Sequence, residues 1–139
     1  LSARSIFLDP EERVGDTPRQ ILRTMNSLVS VTLITCPSQD AEKIARALVE
    51  ECLAACVNII PQALSVYRWE NKIESDSESI LIVKSTSERH EELSRRVMEL
   101  HPYSCPEIIA LPVSEGLESY LSWVVGETEA RRDDAGKER

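Results

Sequence analysis

The chain has 139 residues, of which 42% are hydrophobic and 29% charged, and its formal net charge is −8 at pH 7. This length suits a single folded domain, and no apolar run approaches the ~20 residues that cross a bilayer, so we expect no membrane span. Lys and Arg are mixed among the acids, which argues against nucleic-acid binding because that function needs a clustered basic surface.

Residues 1–26 show weak periodicity and a cluster of acids around Pro10, which is typical of an appended, flexible segment. They contain no apolar stretch followed by a small-residue cleavage site, so they do not resemble a secretory signal. The four cysteines of the chain form no CxxC pair and match no zinc-finger spacing. We therefore expect free thiols and a reducing, cytoplasmic location.

The folded core begins with "LVSVTLIT" (28–35), where apolar and polar residues alternate with the period of two that predicts a strand. Ser38 or Asp40 is then available to cap a helix. From Ala41 to Leu53, apolar and small residues recur at helical spacing on a single stripe. We predict a helix of about four turns there.

The next segment, "ACVNIIPQALSVYRWENKI", is predicted to be extended. Pro61 lacks an N–H group, which suits a bulge or an edge strand better than a central pairing. The polar run "ESDSES" (74–79) is typical of a turn, and "SILIVKS" (79–85) is a nearly continuous β-branched run. Such a run predicts a central strand with both faces covered.

Residues 85–87 ("STS") offer helix caps before a second helix, whose apolar stripe consists of Leu93, Val97 and Leu100. That helix must end by His101, because Pro102 disfavours helical geometry in the residue before it. "EIIALPV" (107–113) predicts a further strand. "LESYLSWVVGE" (117–127) predicts a short final helix, in which Trp123 is interpreted as a core residue.

The predicted order of elements is β-α-β-β-α-β-α across residues 27–130, followed by a disordered tail at 131–139. Two β-α-β units in succession describe an α+β, ferredoxin-like sandwich with an extra C-terminal helix, in which both helices cover one face of an antiparallel sheet. The strands carry apolar residues toward the other face as well. We therefore expect another copy of the chain to bury that face.

Three stretches carry a resemblance to a known family: "CLAACVNIIP" (52–61), "YRWENKIESDSE" (67–78) and "HPYSCPEIIALPV" (101–113). In this order they resemble the CutA family of divalent-cation tolerance proteins, and the likeness runs from about residue 28 to 125. It implies a ferredoxin-like subunit in a tight homotrimer, with the sheets facing inward and the "YRWENKI" hairpin reaching a neighbour. It also implies binding of copper and other divalent cations, or a signalling role like that of PII proteins with a small ligand or a protein partner.

The candidate metal ligands are Cys36, His101 and Glu107, because copper and zinc favour thiolate and imidazole donors completed by a carboxylate. Metal-binding relatives can carry a histidine pair before the Pro-Tyr, but here the first position is Leu100. Cys105 is a weaker candidate, since Pro106 extends its backbone and alternation could turn its side chain away. The alternative interpretation makes His101 a helix-terminal residue and Cys36 a buried small residue.

A second group could line a ligand cleft between subunits: Tyr67, Trp69, Lys84 and Tyr103, next to Glu107. Aromatic residues could stack on an organic ligand there, and the lysine could hold a small anion. The alternative makes Tyr67 and Trp69 anchors of the subunit interface. The chain has no GxSxG, HExxH or glycine-rich phosphate loop, so we expect neither enzymatic activity nor an organic cofactor.

Overall fold

The computed structural model describes residues 28–129 and the isolated residues 15, 17 and 18. The predictions for residues 1–26 and 131–139 fall outside the described residues, apart from those three positions. The elements follow the predicted order β-α-β-β-α-β-α. They are β1 Val29–Cys36, α1 Ser38–Glu50, β2 Cys56–Trp69, β3 Lys72–Thr86, a 3₁₀ turn Ser87–Arg89, α2 His90–Leu100, β4 Ile108–Pro112 and α3 Glu118–Glu127.

The four strands form one antiparallel sheet in the order β2-β3-β1-β4. This order confirms the predicted ferredoxin-like α+β sandwich, with β3 and β1 in the centre and β2 and β4 at the edges. Helices α1 and α2 cover one face of the sheet, where their stripes pack on Ile34, Leu81 and Val83. Within residues 28–129, no helix is long and apolar enough to cross a membrane.

Helix α3 packs at the start of β1 through Leu121 and Val124, which contact Val29. The interpretation of Trp123 as a core residue is wrong, since 44% of it is exposed. Leu121 and Val124 lie three residues apart and define the buried side of the helix, so the intervening Trp123 turns away from it. Its ring packs instead against Tyr120, with the ring centroids 5.7 Å apart.

Helix α1 ends earlier than predicted, at Glu50 rather than Leu53. Cys52 adopts a left-handed conformation with φ of 58°, and the Leu53 N–H donates to the Leu48 carbonyl at 2.9 Å. This is the Schellman arrangement that terminates many helices. Leu53 is buried in the core because the chain reverses there. It therefore continues the apolar stripe of α1 although it lies beyond the end of the helix.

The predicted turn at "ESDSES" is wrong, because these residues lie inside β3 and pair with β2. The reversal is instead the two-residue turn Glu70–Asn71, whose φ values are 47° and 63°. Two consecutive residues with positive φ are the hallmark of the tight hairpin turns that match strand twist. The polar composition of 74–79 reflects exposure of this long hairpin rather than a break in it.

Pro61 lies at a β-bulge on the edge strand β2, as predicted. Ile60 pairs with Ile80 and Ala63 pairs with Glu78, so β2 contains one extra residue at this point. Because side chains alternate along a strand, one extra residue exchanges the two faces of β2 beyond the bulge. Gln62 absorbs the distortion with a φ of 60°.

Two of the predicted caps, Ser85 and Thr86, do not cap the helix. Thr86 makes no side-chain capping hydrogen bond, and Ser85 donates instead to the Leu53 carbonyl at 2.6 Å. The predicted end of the helix is confirmed, because α2 stops at Leu100 and His101 is extended, with ψ of 136°.

The face of the sheet opposite α1 and α2, hereafter the open face, is rich in apolar side chains. By pairing and alternation it carries Val31, Leu33, Ile80, Ile82, Ile109 and Leu111. Ile109 and Leu111 are 48% and 47% exposed. The expectation that both faces of the central strands are covered therefore holds for only one face within a single chain.

Candidate functional site

A cleft of about 620 Å³ lies at the end of β1, between the β2–β3 hairpin and the segment that follows α2. This cleft is the candidate site. It is lined by Thr35, Ser65, Val66, Tyr67, Trp69, Glu78, Tyr103, Ser104, Cys105 and Glu107. Of the predicted site residues, the cleft brings together Tyr67, Trp69, Tyr103 and Glu107.

The bulge at Pro61 decides which residues of β2 face the cleft. Before it, Ile60 shares a face with Ile80; after it, Ala63 shares that same face with Glu78. Tyr67 and Trp69 then follow at spacings of two, so they lie on the face of Glu78. Without the extra residue, the same alternation would place both aromatic residues on the other face.

Tyr67 is fixed within the hairpin, because its hydroxyl donates a hydrogen bond to the Asp76 carboxylate. That bond, with a smaller contribution from the nearby acids, raises the pKa of Tyr67 to about 12. The phenol therefore stays neutral at physiological pH. Its ring forms a side of the cleft whose position depends on the pairing of β2 with β3.

His101 fastens the segment after α2 to the end of β1. It is only 7% exposed, and its Nε2 lies 2.8 Å from the Thr35 carbonyl oxygen. The Tyr103 amide donates to its Nδ1 at 3.1 Å, and the two rings pack with centroids 4.8 Å apart. The Pro102 turn thus places the Tyr103 ring at the cleft.

These bonds define the state of the imidazole. Nδ1 accepts a hydrogen bond and is unprotonated, whereas Nε2 must carry a proton to donate to a carbonyl. His101 is therefore a neutral imidazole with both nitrogens engaged. To ligate a metal ion it would have to give up one of these two bonds.

Cys36 lies at the end of β1 but faces the helices, where it is fully buried. Burial, followed by the negative charges of Asp40 and Glu78, raises the pKa of the Cys36 thiol to about 11. The thiol is therefore protonated at neutral pH, whereas metal ligation requires the thiolate. Cys36 does not line the cleft.

Glu107 is the one member of the predicted metal set that faces the cleft with a free side chain. It is exposed and forms no hydrogen bond or ion pair with the residues the structure describes. Cys105, the weaker candidate, also lines the cleft. It is exposed and therefore more accessible than Cys36.

Taken as they stand, the predicted metal ligands do not form a preassembled metal centre. Across residues 28–129, no three His, Cys, Asp or Glu side chains converge closely enough to hold an ion. The structure does bring the three chain segments together. The carbonyl of Thr35, next to Cys36, is hydrogen-bonded to the His101 ring, and Thr35 and Glu107 both line the cleft.

Lys84 lies apart from the other predicted cleft residues. It lies on the same face of β3 as Glu78 but outside the cleft, where its Nζ donates to the Asn58 side chain and lies 3.7 Å from the Cys56 sulfur. In the strand register it is opposite Cys56 on β2 and Val31 on β1. The cation predicted for the ligand cleft is therefore engaged elsewhere within the chain.

Sequence reasoning did not identify Glu78, which is a cleft residue with 6% exposure. It was missed because 74–79 was assigned to a turn. A signal was present: once the segment is placed in a strand, the acids at 74, 76 and 78 alternate onto one face. Negative charge therefore lines the hairpin side of the cleft.

Residues 30–127 match the family model "CutA1 divalent ion tolerance protein". A divalent-cation tolerance protein CutA from Thermus thermophilus is 53% identical over 95 residues, covering 68% of this chain and 92% of that protein. The protein CutA of mouse is 48% identical over 103 residues. That match covers 73% of this chain but only 58% of the mouse protein.

Solved structures show the same likeness. The divalent cation tolerance protein Cut A1 from Thermus thermophilus superposes with a TM-score of 0.72 at 49% identity, covering 73% of this chain and 99% of that one. A "PII-like protein CutA" from Nostoc sp. superposes with a TM-score of 0.69 at 38% identity, covering 73% and 99%. The order of strands and helices described above is therefore shared with these proteins.

Proposed function

The chain belongs to the CutA1 divalent ion tolerance family, and on that premise we propose that it acts as a homotrimer that binds divalent cations, copper among them, at the cleft beside the end of β1. Its role is in divalent-cation tolerance, the function for which its relatives are named. We propose binding, and not catalysis, as the activity.

The observation that carries this proposal is the charge of the cleft. Glu78 and Glu107 both line it, and among its lining residues there is no Lys, Arg or His. A concave site bordered by one sign of charge concentrates ions of the opposite sign. The chain as a whole adds to the effect with a net charge of −8.

The fit of copper to this site is limited by its donors. Carboxylates suit hard cations, whereas copper prefers imidazole and thiolate. The predicted imidazole, His101, must release a hydrogen bond before it can ligate, and the predicted thiol, Cys36, is buried and protonated. We therefore expect copper affinity well below that of a preformed centre, and Glu107 is the contributing ligand that can be tested most cleanly.

The trimer rests on a different feature, the apolar open face. Ile109 and Leu111 together with the half-buried residues of β1 and β3 form a surface that monomers rarely leave uncovered. A second and third copy would cover it, and the number three comes from the family resemblance. Light scattering of the purified chain at micromolar concentration tests this point, with a monomer mass contradicting it.

The binding proposal is tested by metal content. The chain is purified without an affinity tag or chelator from cells grown with added copper, and bound metals are quantified against a Glu107→Gln variant prepared in parallel. We expect copper or zinc above the buffer background in the unaltered protein and less in the variant. Equal, background-level metal in both preparations would contradict the proposal.

A second candidate function is a PII-like trimer that binds a small organic ligand or a protein partner. The Nostoc relative is described as PII-like, and the cleft presents three aromatic side chains, those of Tyr67, Trp69 and Tyr103. Its volume lies within the range of about 300–1,000 Å³ usual for small-molecule sites. A stabiliser found in a thermal-shift screen of organic compounds, with no response to metals, would favour this candidate.

A further inference from the structure

Glu78 has a carboxylate oxygen without a partner. The residue is 6% exposed, and its Oε2 is buried and accepts no hydrogen bond within the described part of the chain. A buried carboxylate oxygen that lacks a hydrogen-bond donor is unfavourable, and in a native protein it indicates that a further donor binds there. Because Glu78 lines the cleft, that donor can reach it from the cleft.

The neighbours of Glu78 do not supply the missing cation. Its carboxylate accepts a hydrogen bond from Tyr103, whose pKa is raised by burial, by the charge of Glu78 and by that bond. Cys36, on the other side, is protonated and also experiences the charge of Glu78. Glu107 adds a second negative charge to the same cleft. Every charged group that lines the cleft therefore favours a positively charged occupant.

The other lining residues indicate the size and character of that occupant. Tyr67, Trp69 and Tyr103 present aromatic rings, and the cleft has a volume of about 620 Å³. Aromatic faces attract organic cations, which pack against them while a carboxylate receives their N–H donors. A bare metal ion would use neither the rings nor most of this volume.

We propose that the Glu78 end of the cleft is a binding site for an organic ammonium ion, in which Glu78 Oε2 accepts a hydrogen bond from the ammonium group and the rings of Tyr67, Trp69 and Tyr103 hold its carbon skeleton. The inference rests on the cleft described under the proposed function and adds a ligand class to it. Lys84, which could have held a small anion, is not among the residues that line this cleft.

The test uses three probes of similar shape: phenethylamine, 2-phenylethanol and phenylacetate, which are cationic, neutral and anionic at pH 7.5. The chain has two tryptophans, and Trp123 lies outside the cleft. A Trp123→Phe background therefore leaves Trp69 as the only tryptophan, and its fluorescence reports occupation of the cleft. Titrations are run at one ionic strength on the assembled protein.

We expect saturable binding of phenethylamine, about tenfold or more weaker binding of 2-phenylethanol, and weaker binding still of phenylacetate. Glu78→Gln, which preserves shape and removes the charge, should abolish the preference for the amine. Glu88→Gln removes the same charge at an exposed position outside the cleft, and should leave it unchanged. Equal binding of amine and alcohol, or an unaltered preference in Glu78→Gln, would overturn the inference.

Two further outcomes separate this site from the proposed function. Copper or zinc binding that persists in Glu78→Gln while the amine preference is lost supports the ammonium site and leaves metal binding intact. Amine binding without metal binding would contradict the metal proposal and leave the ammonium site supported. A change of oligomeric mass in Glu78→Gln would show that the partner of Oε2 comes from a neighbouring subunit, and would count against the ammonium site.

Discussion

Replacing His101 with Ala should destabilise the metal-free protein substantially. The substitution removes two hydrogen bonds, one to the Thr35 carbonyl at 2.8 Å and one from the Tyr103 amide at 3.1 Å. Each contributes about 0.5–1.5 kcal/mol net. Loss of the ring contact with Tyr103 adds about 0.5–1.5 kcal/mol. We therefore expect the free energy of unfolding to fall by about 1.5–4.5 kcal/mol.

The assay is urea unfolding followed by circular dichroism, at one protein concentration and in the presence of a chelator, since assembly and metals both shift apparent stability. The matched control is His90→Ala, which removes the other histidine of the chain. His90 is half-buried, and its hydrogen-bond partner is the Ser94 hydroxyl at 3.3 Å. We expect the control to cost less than about 1 kcal/mol.

The comparison decides between two roles for His101. A histidine kept free as a metal ligand would contribute little to the stability of the metal-free protein. Equal destabilisation by His101→Ala and His90→Ala would therefore refute the structural role argued from the two ring nitrogens.

Three other predictions concern the cysteines, the bulge and the open face. Iodoacetamide at pH 8 should alkylate the exposed Cys105 of the native protein and leave Cys36 unmodified, because Cys36 is buried and its pKa is raised to about 11. Mass spectrometry measures the labelling, and comparable modification of both thiols would contradict their placement. Deleting Gln62 should restore regular alternation in β2 and turn Trp69 away from Glu78. Phenethylamine should then no longer change the fluorescence of Trp69, and an unchanged response would contradict the role of the bulge. Ile109→Asp places a charge on the open face and should reduce the mass measured by light scattering to that of one subunit. The circular dichroism spectrum should stay native. An unaltered oligomer would show that the open face is not the interface.

The order and type of the elements could be predicted from sequence because each has a strong period. The alternation in β1 and the helical stripe of α1 both depend on the burial of one side, which the sequence records directly. The stop of α2 before Pro102 was equally predictable, because it follows from a local steric rule. These are features that a short window of residues determines.

The errors arose where pairing between distant residues outweighs local composition. The polar run 74–79 would be a turn on its own, but pairing with β2 holds it in a long hairpin. Once it was assigned to a turn, Glu78 could not be placed in the cleft. The bond partners of His101 were hidden for a similar reason, because one of them, Thr35, lies 66 residues away in the chain.

The sequence analysis predicts a ligand cleft between subunits, whereas the cleft described above is lined by a single chain. Tyr67, Trp69, Tyr103 and Glu107 do share one cleft. The sign of its charge was not predictable, because Glu78 lies within the cleft and Lys84, on the same face of β3, lies outside it. Both placements follow from strand register, and in β2 the register is set by one extra residue near Pro61.

Isothermal titration of copper and zinc into tag-free, reduced protein shows whether this cleft binds divalent cations. Glu107→Gln is the matched variant, because the side chain is exposed and lacks partners within the described residues, so its loss should leave the fold intact. We expect saturable binding tighter than millimolar that Glu107→Gln weakens. No saturable heat for either metal, or identical binding by the variant, would contradict it.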